Sequence, residues 1–270
     1  MLERLALSED AHAALKAHAE DLGLVFLSSP FDEASAEFLD SLGVAAFKIP
    51  SGEATNHPFL AHLARKGRPL LLSTGMCDMV EVVEAVDTIR ASGDPPLALL
   101  HCVSNYPAEP REANLRAMAT LARAFGVPVG WSDHTRGTEV SLAAVALGAA
   151  LVERHLTLDR TLPGPDHQAS LEPDELRRLV ESIRAVESGL GTGEKVPQPS
   201  ERPIAAVARK SLHWAALLEP GSRVEAAHLV ALRPGTGISP ARLETLLGRR
   251  LAHRVSAGAM VVESDLESRA

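Results

Sequence analysis

Short apolar segments alternate with helical segments along the first 190 residues, and no other feature of the sequence constrains the fold as strongly. The apolar segments have the length of buried strands, and they lie at residues 24–30, 44–53, 69–76, 97–107, 127–134 and 150–155. The intervening segments space their apolar residues as one face of a helix does, and the first and last helices are predicted from Ser8 to Leu22 and from Pro173 to Leu190. Strands that alternate with helices predict a parallel sheet covered by helices.

Polar side chains collect where the predicted strands end. These residues carry hydroxyl, ammonium, carboxylate or imidazole groups, and they are Ser28, Ser29, Lys48, Ser51, Glu53, Ser73, Thr74, Ser104, Tyr106, His134 and His155. A (β/α)8 barrel gathers its catalytic residues at this end of its strands, whereas a doubly wound open sheet forms a site mainly at one switch point. We therefore expect an α/β domain of the (β/α)8 TIM-barrel type over residues 1–190, with six of the eight strands present.

The sequence changes character after Leu190. Residues 191–208 are rich in glycine, proline and charge and lack periodicity, which predicts a linker. Residues 209–270 contain short apolar pieces separated by Pro-Gly and Ala-Gly turns, which predicts a small, mostly β domain. Because a domain of this size buries little apolar surface by itself, we expect it to dock on another surface.

Charge and cysteine content limit the partners and the compartment. The chain has 27 Lys and Arg against 35 Asp and Glu, a net charge of -8, without long runs of one sign. This balance argues against binding to nucleic acid or to an anionic membrane. The two cysteines, Cys77 and Cys102, are too few for a disulfide framework, and no segment resembles a targeting or membrane-spanning sequence. We expect a cytoplasmic protein with a small-molecule partner.

Two histidines follow neighbouring predicted strands. His134 and His155 are separated by one helix, so both can lie at the carboxyl ends of adjacent parallel strands. Asp133 and Glu153 stand close by in sequence and are candidates to accept the second ring N–H of each imidazole. Two imidazoles with open positions suit a catalytic Mn²⁺ or Mg²⁺ better than structural zinc. The residues alone leave open a second interpretation, in which both are hydrogen-bonded histidines at the rim of the sheet.

Eight motifs in order resemble one known family. They read FKIPSGE, LLSTGM, HCVSNYPA, GWSDHTRG, ERHLTLDR, GPDHQASLEPDEL, ARKSL and RPGTGISP. The chain resembles the sialic acid synthase family, whose members make nonulosonic acids from phosphoenolpyruvate and an N-acetylated hexosamine. The resemblance implies a TIM barrel followed by an antifreeze-like SAF domain. It also implies a domain-swapped homodimer in which the SAF domain of one subunit covers the barrel mouth of the other.

The resemblance assigns roles to individual residues. The implied ligands of a divalent metal, Mn²⁺ in preference to Mg²⁺ or Co²⁺, are His134 and His155. The positions that fall where the family binds phosphoenolpyruvate are Lys48, Ser51, Ser73 and Ser132. The positions that fall where it contacts the amino sugar are Glu53, Tyr106 and Asp166, and Arg233 falls where an arginine enters the partner's active site. Two positions depart from the family pattern, because Ser29 replaces a threonine and Ser104 stands in place of an asparagine.

The chemistry explains why these residue types gather. The enol phosphate carbon attacks the sugar aldehyde, a metal polarises that aldehyde, and Lys48 neutralises the phosphate while Glu53 assists proton transfer. The residues leave simpler roles open: Lys48 in a rim ion pair, Glu53 as a helix cap and Tyr106 closing the rim. The resemblance further implies that the family's first two strand–helix units are missing here. A competing expectation is therefore an inactive, partly folded fragment that only binds ligand. A Schiff-base aldolase is disfavoured by the histidine pair.

Overall fold

The computed structural model describes residues 7–268 and divides into two compact units, with the boundary between Thr192 and Gly193. The helices of the first unit are α1 Glu9–Asp21, α2 Glu33–Leu42, α3 His57–Arg65, α4 Met79–Ser92, α5 Ala117–Phe125, α6 Glu139–Ala146 and α7 Pro173–Leu190. Its strands are β1 Phe47–Ile49, β2 Leu70–Ser73, β3 Leu97–Cys102, β4 Val129–Asp133 and β5 Val152–Arg154. In the second unit lie α8 Glu201–Ala208, β6 Ser211–Trp214 and β7 Leu229–Leu232.

The five strands of the first unit form one parallel sheet in the order β1-β2-β3-β4-β5. Several helices begin at a side chain that caps their first turn. Asp32 accepts a hydrogen bond from the Ser35 amide at the start of α2, and Asp78 and Glu81 form a reciprocal capping box at the start of α4. The predicted alternation of parallel strands and helices is confirmed, and the bounds of α7 match the prediction from Pro173 to Leu190.

The sheet has an apolar face and a polar face. Strand side chains on the apolar face pack with the helices in one hydrophobic core, and its fully buried members include Phe47, Ile49, Leu70, Leu72, Leu99 and Trp131. Since successive side chains of a strand point to opposite faces, the residues between these lie on the other face. That second face carries Lys48, Ser73, Cys102, Ser132 and Glu153. The fold thus keeps these five side chains away from the core on the helix side.

The strand predicted over residues 24–30 does not form. Its one ladder contact is an isolated parallel bridge between Ser28 and Phe47, and Leu24 and Val25 remain 61% and 71% exposed. Apolar composition favours burial, but a strand also needs a partner backbone for its hydrogen bonds. Within residues 7–268 this segment has such a partner at a single residue. The prediction of a sixth strand is therefore wrong.

His101 on β3 makes stability depend on pH. Burial lowers the pKa of this imidazole below 6.5, although a 2.9 Å contact between Nε2 and the Ala113 carbonyl acts in the opposite direction. The unfolded chain therefore binds more protons than the folded chain just below pH 6.5. We expect the free energy of unfolding to fall as the pH drops through this range. Calorimetry from pH 8 to pH 5 should show a flatter dependence for His101→Gln, while His18→Gln, at an exposed position on α1, should match the wild type.

The second unit has its own small core. β6 and β7 pair antiparallel, and the core includes Leu212, Trp214, Leu246 and Val261. The Trp214 indole donates a 3.0 Å hydrogen bond to the buried Asp265 carboxylate. The segment predicted as a linker contains α8. Among residues 7–268, no helix is both long enough and apolar enough to cross a membrane.

Candidate active site

Lys48 lies on the polar face of β1 and contacts residues of two other strands. Its ammonium donates a 2.9 Å hydrogen bond to Ser73 Oγ on the neighbouring strand and a 3.3 Å bond to the Ile49 carbonyl. The Glu153 carboxylate on β5 lies 3.5 Å from the same ammonium. The lysine side chain is mostly buried, so its charge is largely shielded from bulk solvent. A cation held in this way is suited to bind an anionic group.

Glu153 links the first strand of the sheet to the last two. Besides its contact with Lys48, its carboxylate accepts a 2.6 Å hydrogen bond from Ser132 Oγ on β4. The sequence analysis considered Glu153 only as a partner of a histidine and gave it no place among the site residues. Strand alternation could have indicated that Glu153 belongs to the site, because residues 153 and 155 must point to the same face of the sheet. The structure thus adds one carboxylate to the predicted set.

Gly75 packs closely against the side chains of Ser51, Cys102 and Ser104, and we call this group the cradle. The Gly75 amide donates a 3.0 Å hydrogen bond to Ser51 Oγ, and that hydroxyl lies 3.1 Å from Cys102 Sγ. A β-carbon at Gly75 would stand 2.7 Å from the sulfur and 2.8 Å from the Ser51 hydroxyl, and it would also collide with Ser104 Oγ. The cradle therefore brings together two predicted site residues, Ser51 and Ser104, with the buried Cys102.

We expect Gly75→Ala to raise the KM for an anionic substrate at this site at least tenfold, which is about 1.4 kcal/mol. The added methyl group would displace the hydroxyls of Ser51 and Ser104. Gly52→Ala is the matched control, because a β-carbon there meets no atom within 4 Å. Steady-state kinetics on both variants, with melting curves, test the expectation. An unchanged KM in folded Gly75→Ala would show that the cradle does not contact substrate.

Three aromatic rings meet at the carboxyl ends of β4 and β5. The ring centroids of His134 and His155 are 5.2 Å apart, and the Tyr106 ring lies 4.2 Å and 5.4 Å from them. We call this end of the sheet, where the carboxyl ends of its strands lie, the mouth. The prediction that the two histidines lie together there is confirmed. Burial raises the pKa of the Tyr106 phenol, and the nearby Cys102, Asp166 and Glu153 act in the same direction.

The tautomer of His134 follows from its contacts. Its Nδ1 lies 2.7 Å from the Val103 carbonyl oxygen. Because a carbonyl can only accept, Nδ1 carries the proton and Nε2 keeps a free lone pair. Burial lowers the pKa of this imidazole, which favours the neutral form that a metal requires. The expected partnership with Asp133 is wrong, because that carboxylate points to the helix side of the sheet and bonds Thr135 and Ser141.

His155 has a carboxylate neighbour from a different loop. Its Nδ1 lies 3.9 Å from Asp166 Oδ2, and the expectation that Glu153 would serve it is wrong, because Glu153 contacts Lys48 and Ser132. Within residues 7–268, no group of three or more His, Cys, Asp or Glu side chains is placed to hold a metal ion. The two imidazoles fit a cation whose remaining positions are filled by oxygens from elsewhere.

Three predicted site residues lie apart from these contacts. Ser29 lines a groove with His12 and Phe38. Glu53 follows β1 but accepts a 2.7 Å hydrogen bond from the Asn56 side chain, which caps α3. Arg233 is an exposed residue of the second unit, and its Nε donates a 3.1 Å bond to the Ala208 carbonyl.

Family models match both units of the chain. A model of the NeuB family matches residues 1–195, and a model of the SAF domain matches residues 209–267. N,N'-diacetyllegionaminic acid synthase of Legionella pneumophila is 48% identical over 99% of this chain and 76% of its own length. N-acetylneuraminate-9-phosphate synthase of Mus musculus is 37% identical over 98% of this chain and 74% of its own.

Solved structures share the fold. The N-acetylneuraminic acid synthetase of Leptospira borgpetersenii has a TM-score of 0.69 and 37% identity, over 73% of this chain and 69% of its own. The spore coat polysaccharide biosynthesis protein SpsE of Bacillus subtilis has a TM-score of 0.63 and 36% identity, over 95% and 77%. These matches confirm the predicted TIM-barrel type of sheet and the SAF domain. The extent of the family match and the identity to these relatives show that the chain belongs to the NeuB family.

Proposed function

We propose that this chain joins phosphoenolpyruvate to an N-acetylated hexosamine, forming a nonulosonic acid and phosphate. The observation that carries the proposal is the meeting of a cationic and hydroxyl-lined face with a histidine pair at one end of a parallel sheet. Relatives named as synthases of N-acetylneuraminate 9-phosphate and of diacetyllegionaminic acid support it. Since the relatives 48% and 44% identical make an acid with two acetyl groups, we propose a diacetamido hexose before N-acetylmannosamine.

Lys48 and the serines act on the phosphate end of the substrate. The ammonium of Lys48 and the Ser73 hydroxyl that it contacts would neutralise the phosphate dianion. The hydroxyls of Ser51 and Ser132 would add hydrogen bonds that hold the enol in place. The enol C3 carbon then forms a bond to the sugar aldehyde carbon, and the aldehyde oxygen takes up a proton to become a hydroxyl. Water adds at C2 while the Glu153 carboxylate accepts one of its protons, which replaces the proton taken up by the aldehyde oxygen. The new C2 hydroxyl gives its proton to the phosphate as the C2–O bond to phosphate breaks, so that C2 becomes a carbonyl carbon and inorganic phosphate leaves.

Tyr106, Asp166 and the histidines act on the sugar end. Tyr106 packs against both imidazoles and would orient the open-chain sugar, while Asp166 would accept hydrogen bonds from its hydroxyls. A divalent cation, Mn²⁺ in preference to Mg²⁺ or Co²⁺, would be held by His134 and His155 and would supply Lewis-acid polarisation of the aldehyde. We place the reaction in the cytoplasm, because Cys77 and Cys102 are both free thiols.

The test is phosphate release by residues 1–270 from phosphoenolpyruvate, with N-acetylmannosamine and with a 2,4-diacetamido hexose in parallel. We expect release that requires the sugar, together with a product whose mass equals the sugar plus pyruvate. Binding of phosphoenolpyruvate without release would instead support a chain that only binds ligand. Faster release with N-acetylmannosamine would overturn the choice of a diacetamido sugar.

We also propose a homodimer in which Arg233 enters the partner's mouth. Arg233 is exposed on a turn whose position is fixed by its bond to Ala208, and a guanidinium makes forked contacts to polar sugar groups. Mixing Arg233→Ala chains with Lys48→Met chains is expected to restore activity. One mouth of each mixed dimer then keeps both residues, so up to about a quarter of wild-type activity should return on statistical mixing. A mixture as inactive as its components would contradict the arrangement.

A further inference from the structure

A buried ion pair lies behind the two histidines, on the helix side of the sheet. Asp133 ends β4 and Arg154 ends β5, and the two residues are partners in the strand register. Arg154 Nη1 lies 2.7 Å from Asp133 Oδ2, and the two side chains are 4% and 0% exposed. His134 follows Asp133 in the chain, and His155 follows Arg154. Each member of the ion pair is therefore the chain neighbour of one histidine, although its side chain lies on the opposite face of the sheet.

The Asp133 carboxylate fixes the backbone on both sides of His134. Its Oδ1 accepts hydrogen bonds from the amide and hydroxyl of Thr135, at 2.8 Å and 2.7 Å, which closes a turn around His134. Its Oδ2 accepts a 2.5 Å bond from Ser141 on α6. The carbonyl of His134 is also bonded, since it accepts from the Ala108 amide at 2.9 Å. The main chain that carries this imidazole has little freedom left.

Arg154 ties the same loop to the neighbouring strand. Its Nη2 donates to the carbonyls of Thr135 and Gly137, at 3.0 Å and 3.1 Å. The loop that follows His134 is thus held by the residue that precedes His155. One buried guanidinium therefore contacts both the end of β4 and the loop that follows it.

A gain in folding stability does not explain why this ion pair is buried. Burying two charges costs several kcal/mol per ion before their attraction offsets it. The offset is incomplete here, because the Nη1 contact is an ion pair without hydrogen-bond alignment and Arg154 Nε lacks a hydrogen-bond partner within residues 7–268. We infer that Asp133 and Arg154 are positioning residues that set the separation and orientation of the His134 and His155 imidazoles. This inference rests on the proposed function in that the imidazoles hold a cation.

The test compares Asp133→Asn with Asp40→Asn in the full chain. Asp40 is the control, because it also pairs with an arginine, Arg68, that donates to a nearby carbonyl, and among residues 7–268 no hydrogen bond or ion pair joins it to the two histidines. We expect Asp133→Asn to weaken Mn²⁺ binding about 10- to 100-fold, measured by electron paramagnetic resonance titration of metal-free protein. Asp40→Asn should bind Mn²⁺ as the wild type does, whatever stability it loses.

A second measurement separates this inference from the metal proposal. Nitrogen-15 NMR of the imidazoles in metal-free protein should show His134 protonated at Nδ1 in the wild type and exchanging between tautomers in Asp133→Asn. If the wild type binds no Mn²⁺, the metal proposal fails and the NMR result alone decides the inference. If Asp133→Asn does not fold, Ser141→Ala removes one bond to the same carboxylate and should shift both measurements in the same direction. Unchanged imidazole signals and unchanged Mn²⁺ affinity in a folded variant would overturn the inference.

Discussion

Lys48→Met is expected to lower kcat/KM for phosphoenolpyruvate by about 10²- to 10³-fold, or about 2.7–4 kcal/mol of transition-state stabilisation. The ammonium is mostly buried on the polar face, where it contacts Ser73 and the Glu153 carboxylate. Methionine keeps the length of the side chain and removes the charge. A phosphate dianion would then meet Glu153 without a compensating cation. The measurement is initial-rate phosphate release at varied phosphoenolpyruvate.

Lys66→Met controls for the loss of a lysine as such. Lys66 is also mostly buried and pairs with two carboxylates, Glu37 and Asp40, but it follows α3 on the helix side of the sheet. We expect its kcat/KM to stay within twofold of the wild type. Equal losses in the two variants would assign Lys48 to an ordinary ion pair at the rim, the simpler role that the sequence left open.

Removal of divalent metal is expected to abolish turnover, and Mn²⁺ is expected to restore it. A bound metal contributes several kcal/mol when it polarises a carbonyl, so the rate should fall by about 10³-fold or more after chelation. In the double variant His134→Ala with His155→Ala, added Mn²⁺ should have no effect. The measurement is phosphate release after chelator treatment and stepwise return of Mn²⁺, Mg²⁺ or Co²⁺.

His62→Ala is the matched control for the histidine pair. His62 on α3 lies 3.2 Å from the Glu37 carboxylate and stands outside the mouth. We expect this variant to lose activity on chelation and to regain it with Mn²⁺, as the wild type does. Turnover that survives both chelation and the double substitution would show that His134 and His155 are hydrogen-bonded rim residues and hold no metal.

The order of the secondary structure could be predicted from the sequence because local patterns determine it. Helix α7 begins at a proline and ends before Gly191, and both ends were predicted. The placement of Lys48, His134 and His155 at one end of the sheet follows from parallel strand direction alone. Such inferences need only the period of apolar residues and the position of a residue relative to its strand.

The strand at residues 24–30 and the partners of individual side chains could not be predicted in this way. A ladder depends on a neighbouring backbone, and residues 24–30 meet one at a single bridge. Asp133 precedes His134 in sequence, but strand alternation sends its carboxylate to the opposite face, where Arg154 and Ser141 bind it. Nearness to His134 in sequence was therefore a poor guide to the hydrogen-bond partners of Asp133.

The sequence by itself determined which residue types reach the mouth, since strand order and the end of each strand are encoded locally. The tertiary structure decided which of them touch. Glu153 lies between Lys48 and Ser132 only because β1 and β5 belong to one sheet that brings their polar faces to the same mouth, at a separation of 105 residues. Contacts of this kind depend on the packing of many helices against the other face, and no local pattern contains that information.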